Sequence, residues 1–188
     1  MSRWMISAEQ LQQLPSDDVV IIDCRFSLQD SDEGERLYRE AHIPGAHYLH
    51  LERDLSAPKL AHGGRHPLPA VDVVEARLRE LGIGPDTLVV SYDDSRLAFA
   101  SRCWWLLRYL GHDKLRVLDG GFQAWQEAQF ATDDTVPVAQ AGDFVADVRD
   151  YMVVDINTVK TIPLLADAVL IDSRERARFI GQEEPIDP

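Results

Sequence analysis

The stretch Val20-Ile21-Ile22-Asp23-Cys24-Arg25 decides the fold, because it returns 149 residues later as Val169-Leu170-Ile171-Asp172-Ser173-Arg174. An uninterrupted apolar run that ends at polar residues is typical of a strand buried on both faces of a parallel sheet. A stretch that occurs twice marks one structural unit present in two copies. The sequence therefore predicts two related α/β units in one chain.

The two copies are not equally complete. A long stretch follows the first copy, whereas only 14 residues follow Arg174. We therefore expect a full domain at residues 1–142. Residues 143–188 are then expected to be a linker and the opening segment of an incomplete second copy, in a chain that is truncated relative to a complete two-domain protein.

Strand and helix patterns alternate along the first 142 residues. Strands are predicted at Thr87–Tyr92 and Leu115–Leu118, with an apolar helix at Leu97–Leu110 between them. Short links between such elements favour an α/β fold with a central, mainly parallel sheet flanked by helices. We also expect an edge strand at Phe144–Val148 and a buried strand at Val169–Ile171.

The composition disfavours several classes of partner. The 188 residues include 19 Lys and Arg against 32 Asp and Glu, which gives a net charge of −13. A charge this negative disfavours nucleic acid and anionic membranes, since both are polyanions. No stretch approaches the roughly 20 apolar residues of a membrane span, and no secretory signal opens the chain. We expect a soluble cytoplasmic protein without nucleic-acid or membrane partners, whose acid-rich run Asp30–Glu40 is a solvated face.

The loop Tyr92–Ala98, after the second strand, is the first candidate site. Ligands gather at the carboxyl ends of parallel strands, where loop N–H groups and helix N-termini bind anions. This loop holds no cysteine but has Asp93 and Asp94, which would repel an incoming anion. An aspartyl nucleophile and acidic caps on a structural loop are both compatible with it, and the preference for Asp at N-caps favours the caps.

The chain has two cysteines, Cys24 and Cys103, which are too few for a disulfide framework. Cys24 lies between Asp23 and Arg25, and Arg25 could assist a thiolate. The second copy has Ser173 at that position, so the motif does not require a thiol, and cysteine is among the most buried residue types. We therefore expect both cysteines in the core.

Two histidine pairs have a spacing that can bind metal, His47 with His50 and His62 with His66. The first pair lies near a predicted strand and the second in a Gly- and Pro-rich loop. No cysteine or acidic cluster completes four ligands. The sequence therefore predicts no metal, and no cofactor is expected.

Three arginines in five residues, Arg174, Arg176 and Arg178, form a further candidate site. Guanidinium groups match oxyanions in geometry, so this segment suits carboxylate- or sulfonate-like anions. The alternative is a solvated basic loop that is neutralised by the acids around it, Glu175, Glu183 and Glu184.

Several stretches, in their order and spacing, resemble the two-domain rhodanese family, the thiosulfate and 3-mercaptopyruvate sulfurtransferases. Each stretch alone is weak, but together they run along nearly the whole chain. They are Ile21–Arg25, His42–Ala46, Gly64–Pro69, Val90–Asp93, Cys103–His112, Val117–Phe122, Ile171–Arg174 and Ala177–Phe179.

The resemblance implies a rhodanese-like fold of two similar α/β domains. It also implies that a cysteine in the C-terminal domain accepts sulfane sulfur as a persulfide and that the N-terminal copy lacks this cysteine. Asp93 stands at the corresponding position, and the catalytic loop is expected beyond Pro188, so no catalytic residue is assigned. Arg178 is assigned as the substrate-binding residue, and Phe26 is implied to line the cleft between the domains.

The function implied by the resemblance is ping-pong sulfur transfer. A small anionic donor, thiosulfate or 3-mercaptopyruvate, would charge the cysteine, and a thiophilic acceptor, cyanide or a thiol, would discharge it. We expect the 188-residue chain alone to be inactive. Two alternatives are a cysteine-less rhodanese-like module with a protein-interaction or regulatory role and an aspartyl phosphotransferase that uses Asp93.

The incomplete second copy carries one more expectation. Val169–Ile171 would present an apolar strand with open edges. Such a strand should dock on another chain, which would give self-association, or be disordered, or belong to a longer molecule.

Overall fold

The computed structural model describes residues 3–62 and 64–185 of the chain. The chain forms two compact units, of which the first ends at Val148 and the second begins at Arg149. The division into a complete domain at residues 1–142 and an incomplete second copy at residues 143–188 stays a prediction.

The described part of the first unit contains a five-stranded sheet in which every pair of neighbouring strands is parallel. The strand order is β1-β5-β4-β2-β3, which confirms the predicted parallel sheet. β2 and β4 lie side by side, so that Asp23 pairs with Tyr92 at their carboxyl ends. The strands are β1 (Met5–Ile6), β2 (Val19–Asp23), β3 (His47–Tyr48), β4 (Leu88–Tyr92) and β5 (Leu115–Leu118).

Helices cover both faces of this sheet. They are α1 (Ala8–Gln12), α2 (Glu33–Glu40), α3 (Val71–Glu80), α4 (Ala100–Tyr109) and α5 (Gly121–Glu127). Ile22 and Val89 pack with α3 and α4, whereas their neighbours Ile21 and Val90 pack with α1 and α5. Because successive strand residues point to opposite faces, β2 and β4 are buried on both sides, as their apolar runs predict. None of the described helices is long and apolar enough to cross a membrane.

The helix boundaries follow local signals in the sequence. Ser7 Oγ accepts a hydrogen bond from the N–H of Gln10 at 3.2 Å, and Gln10 Oε1 accepts one from the N–H of Ser7 at 3.1 Å, so a capping box opens α1. After α3, Gly82 has a φ of +80°, which glycine adopts without a Cβ clash. α4 begins at Ala100 rather than at the predicted Leu97, because Leu97 has a left-handed φ of +69°.

The acid-rich run contains α2, a helix that the sequence analysis does not predict. Its buried anchor is Tyr38, whose hydroxyl donates a hydrogen bond to the carbonyl oxygen of Ala46 at 2.8 Å. With so little apolar periodicity, composition alone indicates only a solvated face. The charged side chains of this run form three ion pairs, Asp30–Arg36, Glu35–Arg39 and Glu35–Arg53.

A lowered pKa of Glu35 is the first testable consequence of these ion pairs. Hydrogen bonds from Arg39 and Arg53 lower the pKa of Glu35 from 4.5 to about 2. A carboxyl group with a depressed folded-state pKa contributes stability while it is ionised. This contribution is therefore present above pH 4.5 and is lost as the pH falls toward about 2.

An NMR titration of the Glu35 carboxyl group should show this shift as a midpoint of about 2. In the Arg53→Gln variant the midpoint should rise, because one of the two hydrogen-bond donors is gone. Arg36→Gln is the matched control, since Arg36 pairs with Asp30 and not with Glu35. A Glu35 midpoint that is the same in both variants would refute this assignment.

Residues 131–148 are the last residues of the first unit. The predicted edge strand Phe144–Val148 is wrong, because the described residues give this stretch no strand partner. Phe144 is instead buried in the core cluster, and its N–H donates a single hydrogen bond to the carbonyl oxygen of Ile83 at 3.1 Å. The apolar spacing reflects this core packing and not a strand ladder.

The second unit contains two short helices, α6 (Ile156–Thr161) and α7 (Arg176–Phe179). The predicted buried strand Val169–Ile171 is wrong. These three residues form no strand, and they are 82%, 59% and 78% exposed. A strand needs neighbours for its N–H and C=O groups, and the described residues of this unit supply none.

Candidate functional site

The carboxyl ends of the strands bring three acidic residues to one edge of the sheet. Asp23 is the last residue of β2, while Asp93 and Asp119 directly follow β4 and β5. Ligands of parallel α/β sheets bind at this edge. The loops that follow β2 and β4, both singled out in the sequence, therefore lie in one region.

The carboxylate of Asp93 is enclosed by the backbone of its own loop. Its Oδ1 accepts hydrogen bonds from the N–H groups of Ser95 and Leu97, both at 2.9 Å. Its Oδ2 accepts from the N–H groups of Phe99 and Ala100, both at 2.8 Å. Asp93 is fully buried, so the loop is an anion cradle that is already filled by a side chain. This geometry agrees with the cap interpretation, and Asp93 reaches the start of α4 from the end of β4.

The cradle requires an unusual backbone. Arg96 and Leu97 have φ values of +57° and +69°, a left-handed conformation that is costly for residues with a Cβ. Gly121 lies against the loop, and a Cβ built there would be 2.1 Å from the carbonyl oxygen of Asp93. That carbonyl accepts a hydrogen bond from the N–H of Phe122 at 2.9 Å. The turn after β4 and the start of α5 are therefore closely fitted together.

Two clefts open at this edge. One has a volume of about 360 Å³ and is lined by Asp93, Asp94, Arg96, Leu97, Asp119, Gly120, Gly121 and Gln123. Its three aspartates outnumber its single arginine and oppose the approach of an anion. The other has a volume of about 420 Å³ and includes Phe26, whose ring lies 5.4 Å from that of Phe99. The structure thus places Phe26 beside the Asp93 loop, and its implied role at a cleft between domains stays a prediction.

The motif Asp23-Cys24-Arg25 forms a buried ion pair. Arg25 Nη2 lies 2.7 Å from Asp23 Oδ2, and the same oxygen accepts a hydrogen bond from the Tyr92 hydroxyl at 2.6 Å. Burial raises the pKa of Asp23, while the hydrogen bonds and charge of Arg25 and the Tyr92 hydroxyl act to lower it. Arg25 also lies over the ring of Phe122, 4.2 Å from its centroid. These contacts tie β2, β4 and α5 together.

The two cysteines are buried side chains of one core cluster. Cys24 is 1% exposed and Cys103 is fully buried. Burial, followed by the neighbouring Cys103, raises the pKa of Cys24 well above its usual value. A thiolate is the nucleophilic form of cysteine, so Cys24 is a poor nucleophile in the folded chain, and Cys103 is enclosed by the core.

The second copy of the motif repeats the first in atomic detail. Arg174 Nη2 lies 2.7 Å from Asp172 Oδ2, the same separation as in the Arg25–Asp23 pair. In both copies the backbone N–H of the arginine also donates to the aspartate, at 2.9 Å. The copies differ in burial, since Asp172 and Arg174 are exposed. A hydrogen bond from Arg174 lowers the pKa of Asp172 to about 2.

Arg178 lies on α7 of the second unit. Its guanidinium donates hydrogen bonds from Nε and Nη2 to Glu184 Oε1, at 3.0 and 2.7 Å. Glu184 is one of the acids expected to neutralise this basic segment. The substrate-binding role of Arg178 stays a prediction, and a donor anion would compete with Glu184 for the guanidinium.

His50 and His66, one from each of the two histidine pairs, have different partners. His50 Nδ1 accepts hydrogen bonds from two backbone N–H groups, while His66 Nε2 lies 3.7 Å from the carboxylate of Glu52. Burial lowers the pKa of His66 and also of His47. Within residues 3–62 and 64–185, no group of three His, Cys, Asp or Glu side chains could hold a metal ion.

Sequence reasoning missed two features of this edge. The Tyr92 hydroxyl joins the Asp23–Arg25 pair, and the N–H groups of Phe99 and Ala100 complete the cradle. The sequence does contain a signal for the contact of Tyr92 with Asp23, because β2 and β4 end in these polar residues and neighbouring parallel strands bring their ends together. The second feature had none, because left-handed φ values at Arg96 and Leu97 leave no mark on residue type.

The chain is an α/β protein. It has a five-stranded parallel sheet, helices on both faces of that sheet and a backbone cradle after β4. Residues 7–128 match the rhodanese-like domain, and the chain belongs to that family. It is 42% identical over its whole length to a Pseudomonas aeruginosa protein named "Probable 3-mercaptopyruvate sulfurtransferase", of which it covers 67%. It is 30% identical, over 97% of its length, to the 3-mercaptopyruvate sulfurtransferase of Escherichia coli K12.

A solved structure of a related protein has the same fold. The crystal structure of SseA from Escherichia coli, a 3-mercaptopyruvate sulfurtransferase, superposes with a TM-score of 0.85 at 30% identity. The match covers 95% of this chain and 68% of that one. The chain thus spans about two thirds of the length of the relatives that it matches.

Proposed function

We propose that this chain is the rhodanese domain that lacks the catalytic cysteine, with the opening of a second domain, of a sulfurtransferase. The enzyme moves sulfane sulfur from thiosulfate or 3-mercaptopyruvate to cyanide or a thiol. The observation that carries this proposal is the Asp93 cradle. The Asp93 carboxylate accepts from four N–H groups at the position that the resemblance gives to the nucleophile, which supports a persulfide on a cysteine of the second domain.

The chemistry follows from the donor. The thiolate attacks the outer sulfur of thiosulfate or the thiol sulfur of 3-mercaptopyruvate. The S–S or C–S bond of the donor breaks, and sulfite or the enolate of pyruvate leaves with the electron pair. The resulting persulfide passes its outer sulfur to cyanide or a thiolate and regenerates the cysteine thiolate. Arg178 binds the anionic group of the donor through its guanidinium fork, in exchange for Glu184.

Two properties of the chain support a place in the cytoplasm and a tendency to self-associate. Its two cysteines are unpaired thiols, which a reducing compartment maintains. Val169–Ile171 is exposed and apolar, and a second chain could cover it. Native mass spectrometry at increasing concentration measures the association, with Leu170→Lys as the variant that should weaken it.

Inactivity of the 188-residue chain is the direct test of this function. With thiosulfate or 3-mercaptopyruvate as donor and cyanide as acceptor, thiocyanate should form no faster than without protein. Cys24→Ala and Cys103→Ala should leave this background rate unchanged, because both thiols are buried away from a donor in solution. Turnover that disappears in Cys24→Ala would refute the assignment of the persulfide to another domain.

An interaction module that lacks the catalytic cysteine is the second candidate, and the filled cradle is compatible with it. The gene sequence after codon 188 separates the two. A cysteine-containing loop after another buried strand supports the enzyme, whereas a stop codon supports the module.

A further inference from the structure

The amino ends of the strands form a groove at the edge of the sheet opposite the Asp93 cradle. It has a volume of about 610 Å³ and includes the starts of β4 and β5 at Leu88 and Leu115. β4 is five residues long, so at about 3.3 Å per residue the groove lies roughly 16 Å from the cradle. The remaining lining residues are Arg3, Trp4, Arg108, Asp113, Lys114 and Arg116.

This groove is strongly basic in a chain whose net charge is −13. Four of its lining side chains are cationic and one is acidic. Arg108 pairs with Asp113, and Lys114 pairs with Asp86 at 2.7 Å. Among residues 3–62 and 64–185, Arg3 and Arg116 form no ion pair, so two guanidiniums have no carboxylate to compete with a ligand.

Trp4 holds two of the cations in place. The guanidinium carbons of Arg3 and Arg108 lie 4.2 and 4.9 Å from the centroid of its ring. The ring of Trp104 packs edge-on against Trp4, with centroids 5.2 Å apart, and so fixes the indole. Guanidiniums that are held in this way lose less conformational freedom when they bind an anion. Because the indole already contacts two guanidiniums, it is poorly placed to stack on an aromatic ligand.

We propose that this groove binds an oligophosphate, a chain of linked phosphate groups. Guanidinium groups bind phosphate oxygens in pairs, and a lysine adds a point charge beside them. Several cations spread along a groove fit several linked anionic groups better than a single one. The site is separate from the sulfur-transfer edge, so it does not depend on the proposed function.

The test is isothermal titration of the 188-residue chain with inorganic triphosphate. One site per chain is expected, and the double variant R3Q/R116Q should bind at least about tenfold more weakly. The control double variant R36Q/R65Q removes the same net charge elsewhere and should bind like the unchanged chain. Circular dichroism confirms that both variants fold.

Two further titrations test which part of the ligand the groove recognises. Between about 10 mM and about 150 mM salt the screening length falls from about 30 Å to about 8 Å, so binding should weaken several-fold. Adenosine triphosphate should bind as tightly as inorganic triphosphate, because the phosphates and not a base are recognised. The proposal is overturned if triphosphate does not bind at low salt, if R3Q/R116Q binds like R36Q/R65Q, or if adenosine triphosphate binds far more tightly.

Discussion

Replacing Asp93 by alanine should lower the free energy of unfolding by about 3–5 kcal/mol. The carboxylate is fully buried and accepts four backbone hydrogen bonds. Removal of an ionised partner leaves those donors without an acceptor, and it also releases the left-handed turn at Arg96 and Leu97. Urea denaturation followed by tryptophan fluorescence measures the loss as a lower midpoint at constant slope.

Two variants isolate the contribution of the cradle. Asp94 is the adjacent carboxylate, but it is exposed, and among the described residues it accepts only from the Ser95 hydroxyl, so Asp94→Ala should change stability by less than about 0.5 kcal/mol. Asp93→Asn keeps one acceptor oxygen and turns an NH₂ group toward the remaining N–H donors, so it should fall between the two. If Asp93→Ala is as mild as Asp94→Ala, the carboxylate does not hold the loop.

The Asp93 cradle also explains how the loop after β4 keeps its conformation without a bound anion. A loop of converging N–H groups needs a negative charge to occupy it, and here a side chain supplies that charge permanently. The conformation therefore persists without substrate. Asp93 thus has a structural role at the edge where ligands of this fold class bind.

The regular part of the fold was predictable because its signals are local. The apolar runs that become β2 and β4 are buried on both faces, and Ser7 caps α1 as its sequence indicates. Features that depend on distant partners were not predictable. The run Val169–Ile171 is nearly the same as its first copy, yet it forms no strand, because pairing is a property of the neighbours and not of the run. The cradle likewise depends on left-handed residues that composition does not reveal.

Replacing Asp23 by alanine should cost about 3–5 kcal/mol of unfolding free energy, because it leaves the guanidinium of Arg25 buried without its partner. Both side chains of the pair are almost fully buried. The loss should be measured at neutral pH by urea denaturation.

The reverse variant, Arg25→Ala, adds a dependence on pH. It leaves Asp23 buried without the cation that lowers its pKa, which burial already raises above 3.8. The folded state then binds the proton more tightly than the unfolded state does. The protonated form should therefore restore stability near pH 4, and this gain should be lost as the pH rises toward 7. An equal loss at both pH values would contradict this account.

The second copy of the motif provides a control for the Asp23–Arg25 pair. Asp172 and Arg174 form the same ion pair with the same 2.7 Å contact, but in an exposed setting. Solvent can replace the lost partner there, so Asp172→Ala should leave stability unchanged within error. The two copies share the geometry of the arginine–aspartate pair, so a difference between Asp23→Ala and Asp172→Ala measures what the first copy adds, namely burial and the hydrogen bond from the Tyr92 hydroxyl. If both variants were equally mild, contact geometry and not the buried setting would govern this motif.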